Sequence, residues 1–202
     1  LGGLHSARVI LYSVDFAEIE ALQHQGDWES TANILADAAR STEAAGADFL
    51  MIGTNTMHKV APEIAEAITI PLLHIADATA QALQNDGVSR VGLLGTRFTM
   101  EQSFYRSRLE QAGIEVLVPN EAQRNDIHRI IYEELCLGQV LPDSRDNYLA
   151  IVDSLAHQGS QAVILGCTEI GLLVRPSDTS VPLYDTTEIH ADAAVRLALG
   201  EI

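Results

Sequence analysis

Two stretches of the chain each end an apolar run with a glycine followed by small polar side chains. The sequence QAVILGCTE at 161–169 presents a thiol at Cys167, and GADFLMIGTNT at 46–56 presents a hydroxyl at Thr54. Buried parallel strands are near-continuous apolar runs, and open α/β sheets bind ligands at the carboxyl ends of their strands. The two stretches are therefore predicted to be strands that deliver Cys167 and Thr54 to ligand-binding edges.

The two stretches are spaced like copies of one another. The same interval separates Gly53 from Gly166 and Thr54 from Cys167. We infer two similar halves, each placing one small side chain at the same point of its sheet. Inverting a tetrahedral carbon requires removal of a proton from one face and delivery of a proton to the other, so an acid/base group is needed on each side. Two such side chains facing each other across a cleft would supply that geometry.

Cys167 lies where a thiol can be activated. It follows a predicted strand and precedes a short helix predicted to begin near Thr168. Free N–H groups and the positive end of a helix dipole lower the pKa of a nearby thiol toward thiolate. A thiolate can act as a nucleophile, a metal ligand or a base. The alternative is that Cys167 is a small buried hydrophobe, which is what most free cysteines are.

Charge and missing motifs argue against several functional classes. The net charge of −16 disfavours nucleic acid and anionic membranes as partners, since both would be repelled. No GxSxG, P-loop or GxGxxG motif is present, and the histidines and two cysteines form no CxxC, HExxH or HxxxH pattern, so hydrolase, nucleotide-binding and metal sites lack support. No stretch is long enough to cross a bilayer and no secretory start is present, so we expect a soluble cytoplasmic protein with free thiols.

Strands alternate with helices along the chain, which predicts a doubly wound parallel α/β fold. We expect two pseudo-symmetric lobes, at 1–87 and 88–185, with a cleft between them and a final helix in 186–202 that returns to the first lobe. Strands are predicted at 8–13, 48–52, 71–75, 90–94, 114–118, the run ending at Gly166, and 181–184, and helices at about 15–26, 27–45, 57–68, 76–85, 100–112, 121–137, 143–157 and 188–199. The second half has a strand and helix before its strand at 114, whereas nothing precedes the strand at 8. We therefore expect a strand and helix to be missing from the beginning of the first half.

Six segments resemble the cofactor-independent aspartate/glutamate racemase family. GTNTMHK at 53–59 and GCTEIGLL at 166–173 are similar to its two signature motifs. The branch called L-aspartate/glutamate-specific racemase is similar at GLHSARVILYSVDFAEIE (3–20), HIADAT (74–79), GLLGTRFTMEQSFY (92–105) and IYEELCLGQ (131–139). The resemblance covers essentially the whole chain. It implies pyridoxal-free racemisation of an acidic amino acid, with no cofactor, between two Rossmann-like lobes of a protein that forms a homodimer. Members of the family usually begin with one more strand that carries a glycine-rich substrate loop.

The two catalytic positions differ from the general pattern of the family, in which both are cysteines. Here the first position is Thr54 and the second is Cys167. The resemblance implies that Cys167 removes the α-proton of L-aspartate or L-glutamate, and that Thr54 or a water it orients reprotonates the opposite face. A threonine hydroxyl is a far weaker acid than a thiol, so Thr54 is a poor base. The reverse reaction, from the D-enantiomer, is therefore expected to be slow.

The remaining candidates are substrate-binding residues. They are Asn55, Thr56 and Thr168 for the α-carboxylate at two helix starts, Thr96 and Thr99 in the same role, Gln23 or Lys59 for the distal carboxylate, and Glu169 for Cys167 or the ammonium group. Each threonine could instead be only an N-cap, and Glu169 only a favourable charge in a first helical turn. Cys136 lies where many aspartate racemases have a lysine, and we interpret it as a helix-packing residue.

Three alternatives to an amino-acid racemase are open. One is a superfamily relative that acts on another substrate, such as a hydantoin racemase, a maleate isomerase or an arylmalonate decarboxylase. Another is a protein that binds acidic amino acids without turnover, with Thr54 marking a disabled site. A scaffold protein is the third, and it would have no reason to repeat a polar cluster at two strand ends.

Overall fold

A computed structural model describes residues 2–201 and consists of alternating strands and helices. The helices are α1 (Phe16–Gln25), α2 (Trp28–Ala44), α3 (Ala61–Glu66), α4 (Ile75–Asn85), α5 (Arg97–Glu101), α6 (Ser103–Gln111), α7 (Glu121–Glu133), α8 (Pro142–His157), α9 (Ile170–Leu173) and α10 (Thr186–Ala198). The strands are β1 (Leu50–Met51), β2 (Leu72–Leu73), β3 (Arg90–Gly95), β4 (Glu115–Leu117), β5 (Ala162–Gly166) and β6 (Leu183–Asp185). Short 3₁₀ helices lie at Thr56–Val60, Leu135–Leu137 and Pro176–Asp178.

The strands form two parallel sheets. β1 pairs with β2, with Leu50 beside Leu72. The larger sheet has the order β4-β3-β5-β6, and its central register places Gly95 beside Gly166. Every strand pair within residues 2–201 is parallel. The predicted α/β class with parallel sheets is therefore confirmed.

Helices cover both faces of the four-stranded sheet. On one face, Leu94, Val163 and Leu165 pack against apolar side chains of α7 and α8. On the other face, Leu93 and Ile164 pack against α4 and α6. This burial on both faces explains why β5 is apolar at every position instead of alternating with polar residues.

The first half of the chain has a smaller core of its own. α1, α2 and α3 contribute Ile19, Ala39 and Ile64, which pack with Ile52 after β1 and with Met57 in the first 3₁₀ helix. α3 begins with Pro62 in its first turn, where the missing N–H of proline costs nothing. This core supports the loop that follows β1.

The two halves meet through α4 and α10, which pack against each other. His190 of α10 donates from Nε2 to the Leu73 carbonyl of β2 at 2.9 Å. Although α4 precedes residue 87, its Ile75 and Leu83 are buried against the four-stranded sheet. The C-terminal helix thus contacts elements on both sides of the predicted boundary.

Two sequence predictions fail locally. Residues 8–13 form no strand, because nothing within residues 2–201 pairs with them, and Val9 and Leu11 are 76% and 82% exposed. The helix predicted at 100–112 begins earlier, at Arg97, and is interrupted at Gln102, whose backbone is extended. Within the described part of the chain, no helix combines the length and apolarity needed to cross a bilayer.

Candidate active site

The loop that follows β1 carries Thr54 and is held by its neighbours' side chains. Asn55 donates from Nδ2 to the Thr186 hydroxyl at 3.0 Å, and that hydroxyl donates to the Leu165 carbonyl at 2.9 Å. The Thr56 and Thr96 hydroxyls lie 3.0 Å apart in a shared hydrogen bond. The loop is therefore tied to the ends of β5 and β3 through buried polar side chains.

The bonding partners of Thr186 fix the orientation of the Asn55 amide. Because the single proton of the Thr186 hydroxyl goes to the Leu165 carbonyl, that hydroxyl must accept from Asn55. The amide nitrogen therefore faces Thr186 and the amide oxygen faces away. Asn55 is 2% exposed, and its Oδ1 has no hydrogen-bond partner among the described residues. A buried acceptor without a partner costs free energy unless a ligand or water supplies a donor.

The loop that follows β5 carries Cys167. Its thiol donates to Oε2 of Glu169 at 2.9 Å, and its backbone carbonyl accepts from the Ile170 N–H at 3.2 Å. The strand before it ends at Gly166, where a Cβ would lie 2.7 Å from the Leu94 carbonyl oxygen. β3 and β5 approach so closely just before Cys167 that only glycine fits at position 166.

The electrostatic surroundings of Cys167 differ from the sequence prediction. Burial raises the pKa of the Cys167 thiol well above its ordinary value, and the adjacent Glu169 carboxylate raises it further. The expected lowering by a helix dipole was wrong, because α9 begins three residues later, at Ile170, and has only four residues. These surroundings favour the protonated thiol over the thiolate.

Thr54 and Cys167 line the same cavity, whose volume is about 260 Å³. Of the predicted site residues, those in its wall are Gln23, Thr54, Asn55, Thr56, Thr96, Cys167, Thr168 and Glu169. The wall also contains Phe16, Gly53, Ile131, Tyr132, Cys136 and Gly166. The cavity joins the carboxyl ends of β1, β3 and β5, as expected for an open α/β sheet.

Two predicted substrate-binding residues are not in the cavity wall. The Lys59 ammonium lies 3.7 Å from the centre of the Trp28 ring, in a cation–π contact. Thr99 is fully buried, and its backbone N–H donates to the Thr96 hydroxyl at 3.3 Å. Thr96 is thus the N-cap of α5 as well as a residue of the wall, and the backbone N–H of Thr99 is the donor that its side chain caps.

Three side chains of the wall were missed as site residues. Tyr132 donates from its hydroxyl to Oε1 of Gln23 at 3.0 Å, and Phe16 and Ile131 supply apolar surface. All three lie in segments whose helical pattern predicts packing, which does not reveal a cavity. Cys136 is an exposed residue of the wall, so the helix-packing interpretation was wrong.

The cavity wall is rich in hydrogen-bonding groups but contains no Lys, Arg or His within the described residues. The backbone N–H groups of Asn55 and Thr168 have no hydrogen-bond partner in the protein among residues 2–201. Each motif loop therefore contains at least one backbone N–H without a partner among these residues, which is a candidate donor to an anion. In the same range, no group of three or more His, Cys, Asp or Glu side chains is arranged to hold a metal ion.

The sequence profile described as Asp/Glu/Hydantoin racemase matches residues 1–194. The chain belongs to this family. A candidate Asp/Glu racemase from Yersinia pestis of known structure is 57% identical, with a TM-score of 0.91 over 98% of this chain and 87% of that one. An aspartate racemase homologue from Pyrococcus horikoshii is 35% identical, with a TM-score of 0.85 over the same shares of the two chains.

A more distant relative is the protein named broad specificity amino-acid racemase RacX, from Bacillus subtilis. It is 24% identical over 177 residues, which are 86% of this chain and 75% of RacX. The matches agree with the aspartate/glutamate racemase resemblance stated above. In this chain, the two motif loops of the family line one cavity.

Proposed function

We propose that this protein is an amino-acid racemase that inverts the α-carbon of L-aspartate and L-glutamate without pyridoxal phosphate. The observation that carries the proposal is the shared cavity of about 260 Å³, which has Thr54 on one motif loop and Cys167 on the other. In this proposal Cys167 is the base for the L-enantiomer, and Thr54 serves the opposite face. Such a pair meets the requirement for acid/base groups on both sides of the inverted carbon.

The proton balance at Cys167 involves Glu169. The thiol must lose its proton before it can act as a base, and the Glu169 carboxylate is 2.9 Å away as an acceptor. A substrate ammonium group in the cavity adds positive charge, which favours the thiolate. The thiolate then takes the α-proton, and the Thr54 hydroxyl donates its proton to the other face of the carbanion. Water returns a proton to the Thr54 oxygen, and the hydroxide left behind takes the proton held by Glu169, which restores the starting state.

The Asn55 side chain is suited to the substrate ammonium group. Its Oδ1 is a buried acceptor without a partner, in a residue that lines the cavity. An ammonium group has three donors and no acceptor, so it complements this oxygen. This role of the side chain is additional to the predicted one, in which an N–H group of Asn55 meets the α-carboxylate.

The α-carboxylate is assigned to the free backbone N–H groups of Asn55 and Thr168. Backbone N–H groups bind anions without a formal positive charge, which suits a protein with a net charge of −16. For the distal carboxylate we propose the Gln23 amide nitrogen, which donates one proton to the Met57 sulfur at 3.6 Å and has a second proton to donate, since the Gln23 oxygen is occupied by Tyr132. The predicted lobes at 1–87 and 88–185, the cleft between them and the homodimer stay predictions that belong to this proposal.

The test follows α-proton exchange in deuterated water and product chirality in separate incubations with L-Asp, D-Asp, L-Glu and D-Glu. We expect rapid exchange and inversion from the L-enantiomers and slow reaction from the D-enantiomers. Comparable initial rates from both enantiomers, corrected for the near-unity equilibrium, would contradict the assignment of Cys167 and Thr54. Protection of the fold against heat by the amino acids without any exchange would identify a binding protein instead.

A further inference from the structure

His58 lies four residues after Thr54, in the 3₁₀ helix Thr56–Val60, and is only 2% exposed. It is not part of the cavity wall. Its ring is 4.4 Å from the His74 ring and 5.9 Å from the His190 ring, measured between centroids. A buried histidine so close to a candidate catalytic loop must have both ring nitrogens satisfied or it destabilises the fold.

The hydrogen bonds of His58 fix its tautomer. Nε2 lies 3.2 Å from the backbone nitrogen of Ile75, and a backbone N–H can only donate, so Nε2 is the acceptor and carries no proton. Burial lowers the pKa of His58 well below its ordinary value, so the ring is neutral and its single proton is on Nδ1. Nδ1 lies 2.8 Å from the Thr54 carbonyl oxygen and therefore donates to it.

This tautomer links the Thr54 loop to a rigid part of the molecule. Ile75 is the first residue of α4 and is buried against the four-stranded sheet that contains β5. His58 therefore connects the Thr54 carbonyl, through one ring, to the body that carries Cys167. Thr54 itself has a β-branched side chain with few accessible rotamers, so the orientation of its backbone largely decides where its hydroxyl points.

We infer that His58 is a positioning residue for the stereoinversion: its Nδ1–H holds the Thr54 carbonyl so that the Thr54 hydroxyl faces the cavity opposite Cys167. The inference rests on the function proposed above. His58 does not touch the substrate and acts only through Thr54. Its loss should therefore impair reprotonation on the Thr54 face and leave proton removal by Cys167 in place.

A pair of matched variants separates the two hydrogen bonds of His58. In His58→Asn the side-chain nitrogen can occupy the place of Nδ1 and still donate to Thr54, while the bond from Ile75 is lost. In His58→Gln the side-chain oxygen can reach the place of Nε2 and accept from Ile75, while the bond to Thr54 is lost. Each variant thus keeps one of the two buried bonds.

The measured quantity is the ratio of racemisation to α-proton exchange, with L-aspartate and L-glutamate in deuterated water. We expect His58→Asn to stay within about threefold of the unmodified ratio, and His58→Gln to lower the ratio by roughly a hundredfold, as a misplacement of about 1 Å in a reacting group can do. A purely structural role would lower exchange and racemisation together. Unfolded molecules contribute to neither rate, so the ratio of the two rates can still be measured in a partly folded sample.

His190→Gln is the control, because a glutamine nitrogen can replace Nε2 as the donor to the Leu73 carbonyl. It should leave the ratio unchanged. A second measurement needs no variant: the ¹⁵N NMR shifts of His58 in the unmodified protein should report the Nδ1–H tautomer.

The outcomes are distinguishable. Absence of both exchange and racemisation in the unmodified protein would overturn the proposed function, and this inference with it. If the unmodified protein is active, two results would overturn the inference alone. One is an Nε2–H tautomer of His58, and the other is an equal ratio of racemisation to exchange in the two His58 variants.

Discussion

The Thr54 and Cys167 loops occupy matching places in the chain but rest on different supports. Each loop follows a parallel strand and precedes a short helix, a second strand and a long helix, α4 or α10. β5 is a fully buried five-residue strand inside a four-stranded sheet, whereas β1 has two residues in a two-stranded sheet. A Cβ at Gly166 would collide with a carbonyl oxygen, whereas one at Gly53 would meet nothing within 4 Å.

This difference indicates that the two proposed catalytic positions are held by different means. The Cys167 loop is positioned by the close packing of β5 against β3. The Thr54 loop is positioned by three side-chain hydrogen bonds, which join Asn55 to Thr186, Thr56 to Thr96, and His58 to Ile75. Each of these bonds ends on an element that packs with the four-stranded sheet. The position of the Thr54 loop therefore depends on contacts with the part of the molecule that carries Cys167.

Replacement of the two reactive groups by near-isosteric ones should separate their roles and has the largest expected effect. Cys167→Ser removes the base, so α-proton exchange from L-aspartate should fall by about 10²- to 10⁴-fold. Thr54→Val removes only the proton donor of the opposite face, so exchange from the L-enantiomer should persist while inversion is lost. Exchange and chirality are measured in the same incubation.

Circular dichroism and thermal melting provide the control that both variants are folded. Equal loss of exchange in the two variants would contradict the proposal that Cys167 removes the proton and Thr54 only returns one.

Thr54→Cys should make the two loops chemically alike. A thiol at this position can form a thiolate base for the D-enantiomer, so the initial rate from D-aspartate should rise, by roughly tenfold or more. The rate from L-aspartate should change less, because Cys167 still removes that proton. Initial rates from both enantiomers give the answer, and an unchanged ratio of the two rates would argue against Thr54 as the group that limits the reverse direction.

Acid should weaken the Thr54 side of the molecule, where buried neutral histidines cluster. Burial, together with the Arg108 charge, lowers the pKa of His74 from 6.5 to about 3. Since its folded pKa lies below its unfolded pKa, the unfolded state binds more protons below about pH 6.5, so the stability from neutral His74 is present above that pH and is lost as pH falls. The expected loss is up to about 1.4 kcal/mol per pH unit for this group.

His74→Asn tests this smallest effect. His74 is the N-cap of α4 and accepts from the Ala76 N–H at 3.1 Å, a role that asparagine also fills well. Urea denaturation between pH 7.5 and 5 should therefore show a shallower loss of stability in the variant. An identical pH slope in both proteins would mean that the pKa of His74 is the same in the folded and unfolded states.

Much of the fold was predictable from local patterns. The apolar runs before Gly95 and Gly166 predicted β3 and β5 nearly to the residue, because strands buried on both faces leave few alternatives. Asp27 was predicted to begin α2, and its carboxylate accepts from the Ser30 N–H at 3.0 Å. The spacing between the two motifs predicted that one loop matches the other.

Other features depend on tertiary contacts that no local pattern contains. Residues 8–13 have a strand-like sequence, but a strand requires a partner, and none is present in residues 2–201. The amphipathic pattern of α7 placed Tyr132 in a helix without indicating that it faces Gln23. The thiol pKa was misjudged because it depends on burial and on the position of the Glu169 carboxylate.

The bond between Asn55 and Thr186 joins positions 131 residues apart in the sequence. A contact of such long range closes a large loop, and the entropy lost in closing that loop opposes its formation. A nascent chain would therefore lack the geometry of its first motif until α10 had left the ribosome and docked.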